Sequence, residues 1–152
     1  MEKARGFEVV TRWQGKDVAL PKRQTARSAG YDLEAAESVT IAPRETVMVA
    51  TGVKAYMQPD EVLMIYNRSS LATKRRLMLA NTVGVIDADY YGSPETEGEI
   101  FIPLYNYGTE TQRIAKGERV AQGIFTHYLT VDGDAPGLGG ERSGGFGSTG
   151  RQ

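Results

Sequence analysis

At 152 residues with a formal net charge of -1, the chain is long enough for one domain with a real core and too short for two comfortable ones. Its positive and negative side chains are interspersed, so the basic footprint of a protein that binds long nucleic acid or an anionic membrane is missing, while a small anionic ligand stays open. Zero cysteines exclude disulfides, thiol nucleophiles and cysteine-ligated zinc together, and with them the zinc-dependent nucleobase deaminases.

In chain order, the N-terminal MEKARGFEVV carries no signal-like apolar run, and nothing approaches the roughly 18 apolar residues of a membrane span, which predicts a cytoplasmic protein. Strand-like runs then recur: FEVVTRW, SVTIA, ETVMVA, GVKAYM, EVLMIYN, EIFIPLYN, TQRIA and RVAQGIFTHYL. The turn signals APRE, QPDE, YGSPE, NYGTE and AKGE separate them at close intervals. This pattern predicts an all-β fold, a sandwich, jelly roll or small barrel, and not a βαβ arrangement. The one helix candidate is SSLATKRRL, Ser69 to Leu77, opened by a serine able to cap its first free amides. The single histidine, His127, sits in the alternating run IFTHYL and reads as structural. From about Val131 the composition shifts to Gly, Asp, Pro and Ser, so the chain divides into a β domain over 1–130 and an arm over 131–152 that stays mobile until a ligand orders it.

Polar residues crowd into four places. SAGYDLEA, taken alone, is a glycine turn with a solvated acid, Asp32. YNRSSLATKRR puts Arg68, Ser69 and Ser70 where an apolar strand meets the helix candidate, a chemically reasonable phosphate cradle or else a plain helix cap beside a surface arginine. ANTVGVIDADYYG resembles the start of a calcium loop, but the fifth position would be Tyr91 and the twelfth Gly98, where a bidentate glutamate is required, so that possibility fails. What remains is an apolar strand delivering Asp87 at its end, suited to act as general base on a water, with Tyr90 close by to pack on a sugar or base. Gln122 on RVAQGIF is a weak signal by itself. The closing GFGSTG satisfies G-x-G-x-x-G, yet only Arg151 and Gln152 follow, so no helix can complete a dinucleotide fingerprint.

Taken in order, AGYDLEA, NRSSLA, NTVGVIDADYYG, RVAQGIF and RSGGFGSTG resemble the five motifs of the trimeric dUTPase family. The resemblance implies a homotrimer of distorted jelly-roll subunits that hydrolyses dUTP to dUMP and pyrophosphate with Mg²⁺, its glycine-rich arm closing over a nucleotide held elsewhere. It makes Asp87 the base that activates the attacking water, and Tyr90 the ring that packs on deoxyribose and excludes a 2′-hydroxyl. Asn81 and the backbone of the 81–90 hairpin correspond to the uracil pocket. Arg68, Ser69, Ser70 and Gln122 correspond to phosphate contacts, and Asp32 to a partner of metal-bound water. Arg142, Phe146, Gly147, Ser148 and Thr149 correspond to the arm, Phe146 stacking on uracil and Arg142 meeting the terminal phosphate.

Three departures stand out. Asn67 replaces a proline common in the family, with a local effect on backbone rigidity expected. SPETEG lengthens the hairpin between Gly92 and the following glutamate, and offers a contact surface for a protein partner. Arg142 precedes Phe146 by four residues where five is common. The related dCTP deaminase shares the fold and an RSSLA stretch, with Glu99 as its candidate base; the glycine-rich arm and GVIDADYYG favour the dUTPase. A nucleotide-sensing interaction protein is the alternative of a different class.

Overall fold

The computed structural model describes residues 2–137. Eleven strands are found among them. They are β1 (Gly6–Val9), β2 (Tyr31–Glu34), β3 (Val39–Ile41), β4 (Thr46–Ala50), β5 (Val53–Tyr56), β6 (Glu61–Tyr66), β7 (Leu77–Leu79), β8 (Gly84–Asp87), β9 (Phe101–Asn106), β10 (Gln112–Ile114) and β11 (Arg119–His127). One α-helix, α1 (Ser69–Arg75), lies between β6 and β7, and two 3-10 turns cover Thr11–Trp13 and Ala88–Tyr90. The all-β expectation holds, in a jelly-roll-like sandwich that does not close into a barrel among the described residues.

A four-stranded sheet in the order β2-β11-β6-β8 faces a three-stranded sheet β4-β9-β7, and two-stranded ladders β1-β5 and β3-β10 fill the ends. Every ladder is antiparallel. Both larger sheets feed one core: Leu33, Leu63, Ile65 and Ile86 from the first, Val49, Leu77, Leu79, Ile102 and Leu104 from the second. On β9 the alternation of FIPLYN turns Ile102, Leu104 and Asn106 inward, as a period of two requires. The buried Asn106 is satisfied by its own turn and by β3: Nδ2 donates to Glu110 O at 2.8 Å and to Ile41 O at 2.9 Å, and Oδ1 accepts Gly108 N–H at 2.9 Å. At the start of β6, buried Glu61 accepts Arg5 Nε at 2.9 Å and Gln58 N–H at 3.0 Å, with Arg5 Nη2 on its second oxygen. The hydrogen bond from Arg5 leads the causes that bring the Glu61 carboxyl down to about 2.

Four local expectations change. FEVVTRW is not one strand: it breaks at Val10 into β1 and the Thr11–Trp13 turn, because Glu97 and Glu99 draw Thr11, Arg12 and Trp13 out of line. The helix does not reach Leu77. Arg76 adopts φ 59°, ψ 35° with its N–H on Leu71 O, and Leu77 pairs instead with Asn106 on β9. No serine caps the helix either, since the N-cap residue is Arg68, in extended backbone, with no side-chain capping bond. YDLE is not a turn but β2, and Asp32, 14 % exposed in its side chain, is not a solvated acid.

Candidate active site

The predicted phosphate residues converge at one end of the four-stranded sheet. Register places Gln122 on β11 opposite Asp32 on β2 and opposite Tyr66 on β6. Arg68 stands two residues beyond the end of β6, and its Nη1 lies 3.4 Å from Asp32 Oδ1. Gln122 Nε2 donates to Asn67 O at 3.2 Å. A Cβ on Gly30 would stand 2.3 Å from Gln122 Oε1 and 3.1 Å from Gln122 Cβ, so the backbone passes close against this side chain. Ser69 and Ser70 are exposed at the start of α1. Asn67 has more than the local backbone effect expected of it: Oδ1 accepts Leu79 N–H at 2.7 Å and ties this turn to β7, a bond that proline has no side chain to make.

Three cations not singled out from sequence join this end. Arg119 Nη1 lies 3.6 Å from Asp32 Oδ2, and Arg119 and Lys74 line a cleft of about 270 Å³ with Arg68, Ser70, Arg75 and Glu118. Arg119 stands within the RVAQGIF motif, so a signal existed; only the β2-β11 pairing puts it beside Asp32. Arg75 is engaged by Glu118 and the Gln112 side chain.

The predicted base and uracil residues gather elsewhere. Asn81 lies in the tight connection between β7 and β8, where Val83 N–H donates to Asn81 O at 2.7 Å and Thr82 takes φ 61°. A Cβ on Gly84 would lie 3.0 Å from Ile65 Cβ and 3.6 Å from Asn81 Nδ2, so the glycine lets the hairpin lie flat on β6. Asp87 ends β8 opposite Val62, half-buried, and precedes the 3-10 turn whose last residue is the buried Tyr90. The Tyr90 hydroxyl donates to Glu99 O at 2.6 Å.

Within one chain these two groups stay apart. Asp87 is level with Val62 and Gln122 with Tyr66, four residues along β6, or about 13 Å of extended strand. Arg142, Phe146, Gly147, Ser148 and Thr149 lie outside the described residues.

The dUTPase family model matches residues 16–150. The chain belongs to the dUTPase family. It is 53% identical over 148 residues to the deoxyuridine 5'-triphosphate nucleotidohydrolase of Lactococcus lactis, covering 97% of this chain and 99% of that one. The crystal structure of dUTPase from Streptococcus mutans is 49% identical, with a TM-score of 0.81 over 84% of this chain and 99% of that one. A point mutant of the dUTPase from phage phi11 of S. aureus, 19% identical with a TM-score of 0.72 over 88% and 97% of the two chains, shares the fold; that structure coordinates a structural Mg(II) ion.

For a dUTPase-family chain the rival use of Glu99 as a base meets a structural obstacle. Glu99 is buried and saturated with donors: Arg12 Nε at 2.6 Å and Nη2 at 3.1 Å, Trp13 Nε1 at 3.0 Å and Gly52 N–H at 3.2 Å. It is a clamp on the N-terminal segment. The donor set also bears on magnesium. Among the described residues the grouping of three ligand-type side chains is Asp60, Glu61 and His127, where Glu61 is already held by Arg5. The end that gathers Arg68 and Gln122 offers Asp32, in loose pairs with two arginines, and Glu118, already engaged by Arg75. That set fits an ion carried in by phosphate oxygens and water, and does not fit an all-protein cage.

Proposed function

We propose that this protein hydrolyses dUTP to dUMP and pyrophosphate as a cytoplasmic homotrimer with shared sites, limiting uracil in DNA and supplying dUMP for thymidylate synthesis. The observation that carries this reading is Asp87 at the end of β8, between the Asn81 hairpin and Tyr90, in a chain whose 53% identical relative is named for this reaction. Asp87 takes a proton from a water, the water oxygen bonds to the α-phosphorus, and the bond from that phosphorus to the bridging oxygen breaks, releasing pyrophosphate. Asn81 and the hairpin backbone receive uracil, and Tyr90 lies against the deoxyribose. Arg68, Ser69, Ser70 and Gln122 hold phosphate oxygens, with Arg119 adding positive charge to the same cleft.

Mg²⁺, when bound with the triphosphate, neutralises charge on its oxygens, and Asp32 would hold a water of that ion. The segment 131–152 acts as an arm that closes over the nucleotide, Phe146 on uracil, with Gly147, Ser148, Thr149 and Arg142 toward the phosphates. What supports subunit sharing is the separation of Asp87 from Arg68 and Gln122 along β6. Incubation of the purified protein with each deoxynucleoside triphosphate and Mg²⁺ tests the reading. Pyrophosphate from dUTP is the expected product; ammonia from dCTP, or no pyrophosphate from dUTP, would overturn it.

A further inference from the structure

Residues 93–98 lengthen the connection from Gly92 to Glu99 and have no part in the reaction above. They do not project as a free hairpin. Ser93 and Gly98 are buried and Thr96 and Glu97 half-buried, leaving Pro94 and Glu95 as an exposed tip. The segment is bonded to Tyr90 at both ends of that residue. Ser93 N–H donates to Tyr90 O at 3.1 Å, and the Thr96 hydroxyl donates to Tyr90 Oη at 3.0 Å. Thr96 Oγ1 in turn accepts Gly98 N–H at 3.2 Å. Gly98 has φ +93°, and a Cβ there would stand 2.8 Å from Tyr90 O, so the chain returns against Tyr90 as closely as glycine allows.

An outer latch holds the segment in place. Glu97, at φ 63°, accepts Lys54 Nζ at 2.7 Å and Thr11 N–H and Oγ1 at 3.1 Å each. The Lys54 hydrogen bond leads the causes that hold the Glu97 carboxyl below its ordinary range, so the latch is charged at neutral pH. A phenolic hydroxyl both donates and accepts. Here the donor goes to Glu99 O and an acceptor position takes the Thr96 hydroxyl, which fixes the far end of the ring in two directions.

We propose that Thr96 is a positioning residue for sugar discrimination: its hydroxyl, carried by the 93–98 segment, fixes the plane of the Tyr90 ring against which deoxyribose packs. This rests on the reading above that Tyr90 meets the sugar. Preference for a 2′-deoxy nucleotide then depends on a side chain that touches no substrate, because a ring freed to tilt by a few tenths of an ångström opens room for a 2′-hydroxyl.

The test compares kcat/KM for dUTP and UTP in the full-length protein, its Thr96→Val, Thr96→Ala and Thr96→Ser variants, and Tyr90→Ala. Thr96→Val keeps the side-chain shape, and its dUTP-over-UTP ratio should fall about fivefold, the size of one neutral hydrogen bond, while dUTP turnover stays within about twofold. Thr96→Ser restores the hydroxyl and should restore the ratio. Thr96→Ala supplies the same readout should Thr96→Val fail to fold. An unchanged ratio in the Val and Ala variants, with Tyr90→Ala lowering it, overturns the role of Thr96 alone. A ratio that falls equally in Thr96→Ser also overturns it. An unchanged ratio in Tyr90→Ala overturns the sugar-packing reading and this inference together.

Discussion

Asp87 and Gln122 flank β6 from opposite sides and at opposite ends, one level with Val62 and the other with Tyr66. On the function proposed above, a nucleotide with its α-phosphorus at Asp87 and its phosphates among Arg68 and Gln122 would draw the two groups from different chains. Asp87→Asn and Arg68→Ala should each be inactive, and mixed trimers refolded from equal amounts should recover about a quarter of wild-type activity under random assortment into closed rings. No recovery in confirmed mixed assemblies would place base and cradle in one chain.

Asp87 ends its strand half-buried, and the proposed reaction uses its carboxylate as a general base. Asp87→Asn should bind dUTP with near-normal affinity and lose at least about 10² in turnover, the lower range of general base catalysis. Isothermal titration with a non-hydrolysable analogue, set beside single-turnover rates, measures the two separately. Near-normal turnover would remove Asp87 from the mechanism.

Glu99 gathers Arg12, Trp13 and Gly52 into one buried clamp. Glu99→Gln exchanges an acceptor oxygen for a donor amide facing those N–H groups, and should destabilise the fold by about 1–3 kcal/mol. Thermal unfolding reads this directly. The folded variant should keep its dUTP turnover; abolished turnover with an unchanged melting temperature would return Glu99 to the chemistry.

Acid should loosen the N-terminus. Glu61 titrates at about 2 in the fold against an ordinary 4.5, chiefly through the Arg5 hydrogen bond. A depressed carboxyl stabilises the fold fully above the unfolded value, so this contribution is intact above about pH 4.5 and is lost as pH falls toward 2. Urea unfolding across that window should show a shallower acid dependence in Glu61→Gln than in the wild type. An identical slope would mean that the Arg5–Glu61 pair does not form in solution.

The all-β architecture was legible along the chain because period-two alternation and turn residues are local properties, and β3, β4, β5, β6, β9, β10 and β11 fall inside the runs that show them. Asp87 and Tyr90 were legible too, since a strand delivering an acid beside an aromatic is a contiguous pattern. What the sequence could not place were features set by pairing partners distant in the chain. YDLE becomes a strand only through β11, Leu77 leaves the helix only because β9 receives it, and the first predicted strand breaks at Val10 only because Glu97 and Glu99 reach back some 86 residues to Thr11, Arg12 and Trp13. The same holds for function. Composition and motif order determined the family and its candidate residues by themselves, whereas the register of β6 decided that Asp87 and Gln122 stand at opposite ends, and the turns of 93–98 decided that Thr96 meets Tyr90. Register and turn closure are settled by which side chains and backbone groups find partners across the core, and that choice is made by the folded chain as a whole.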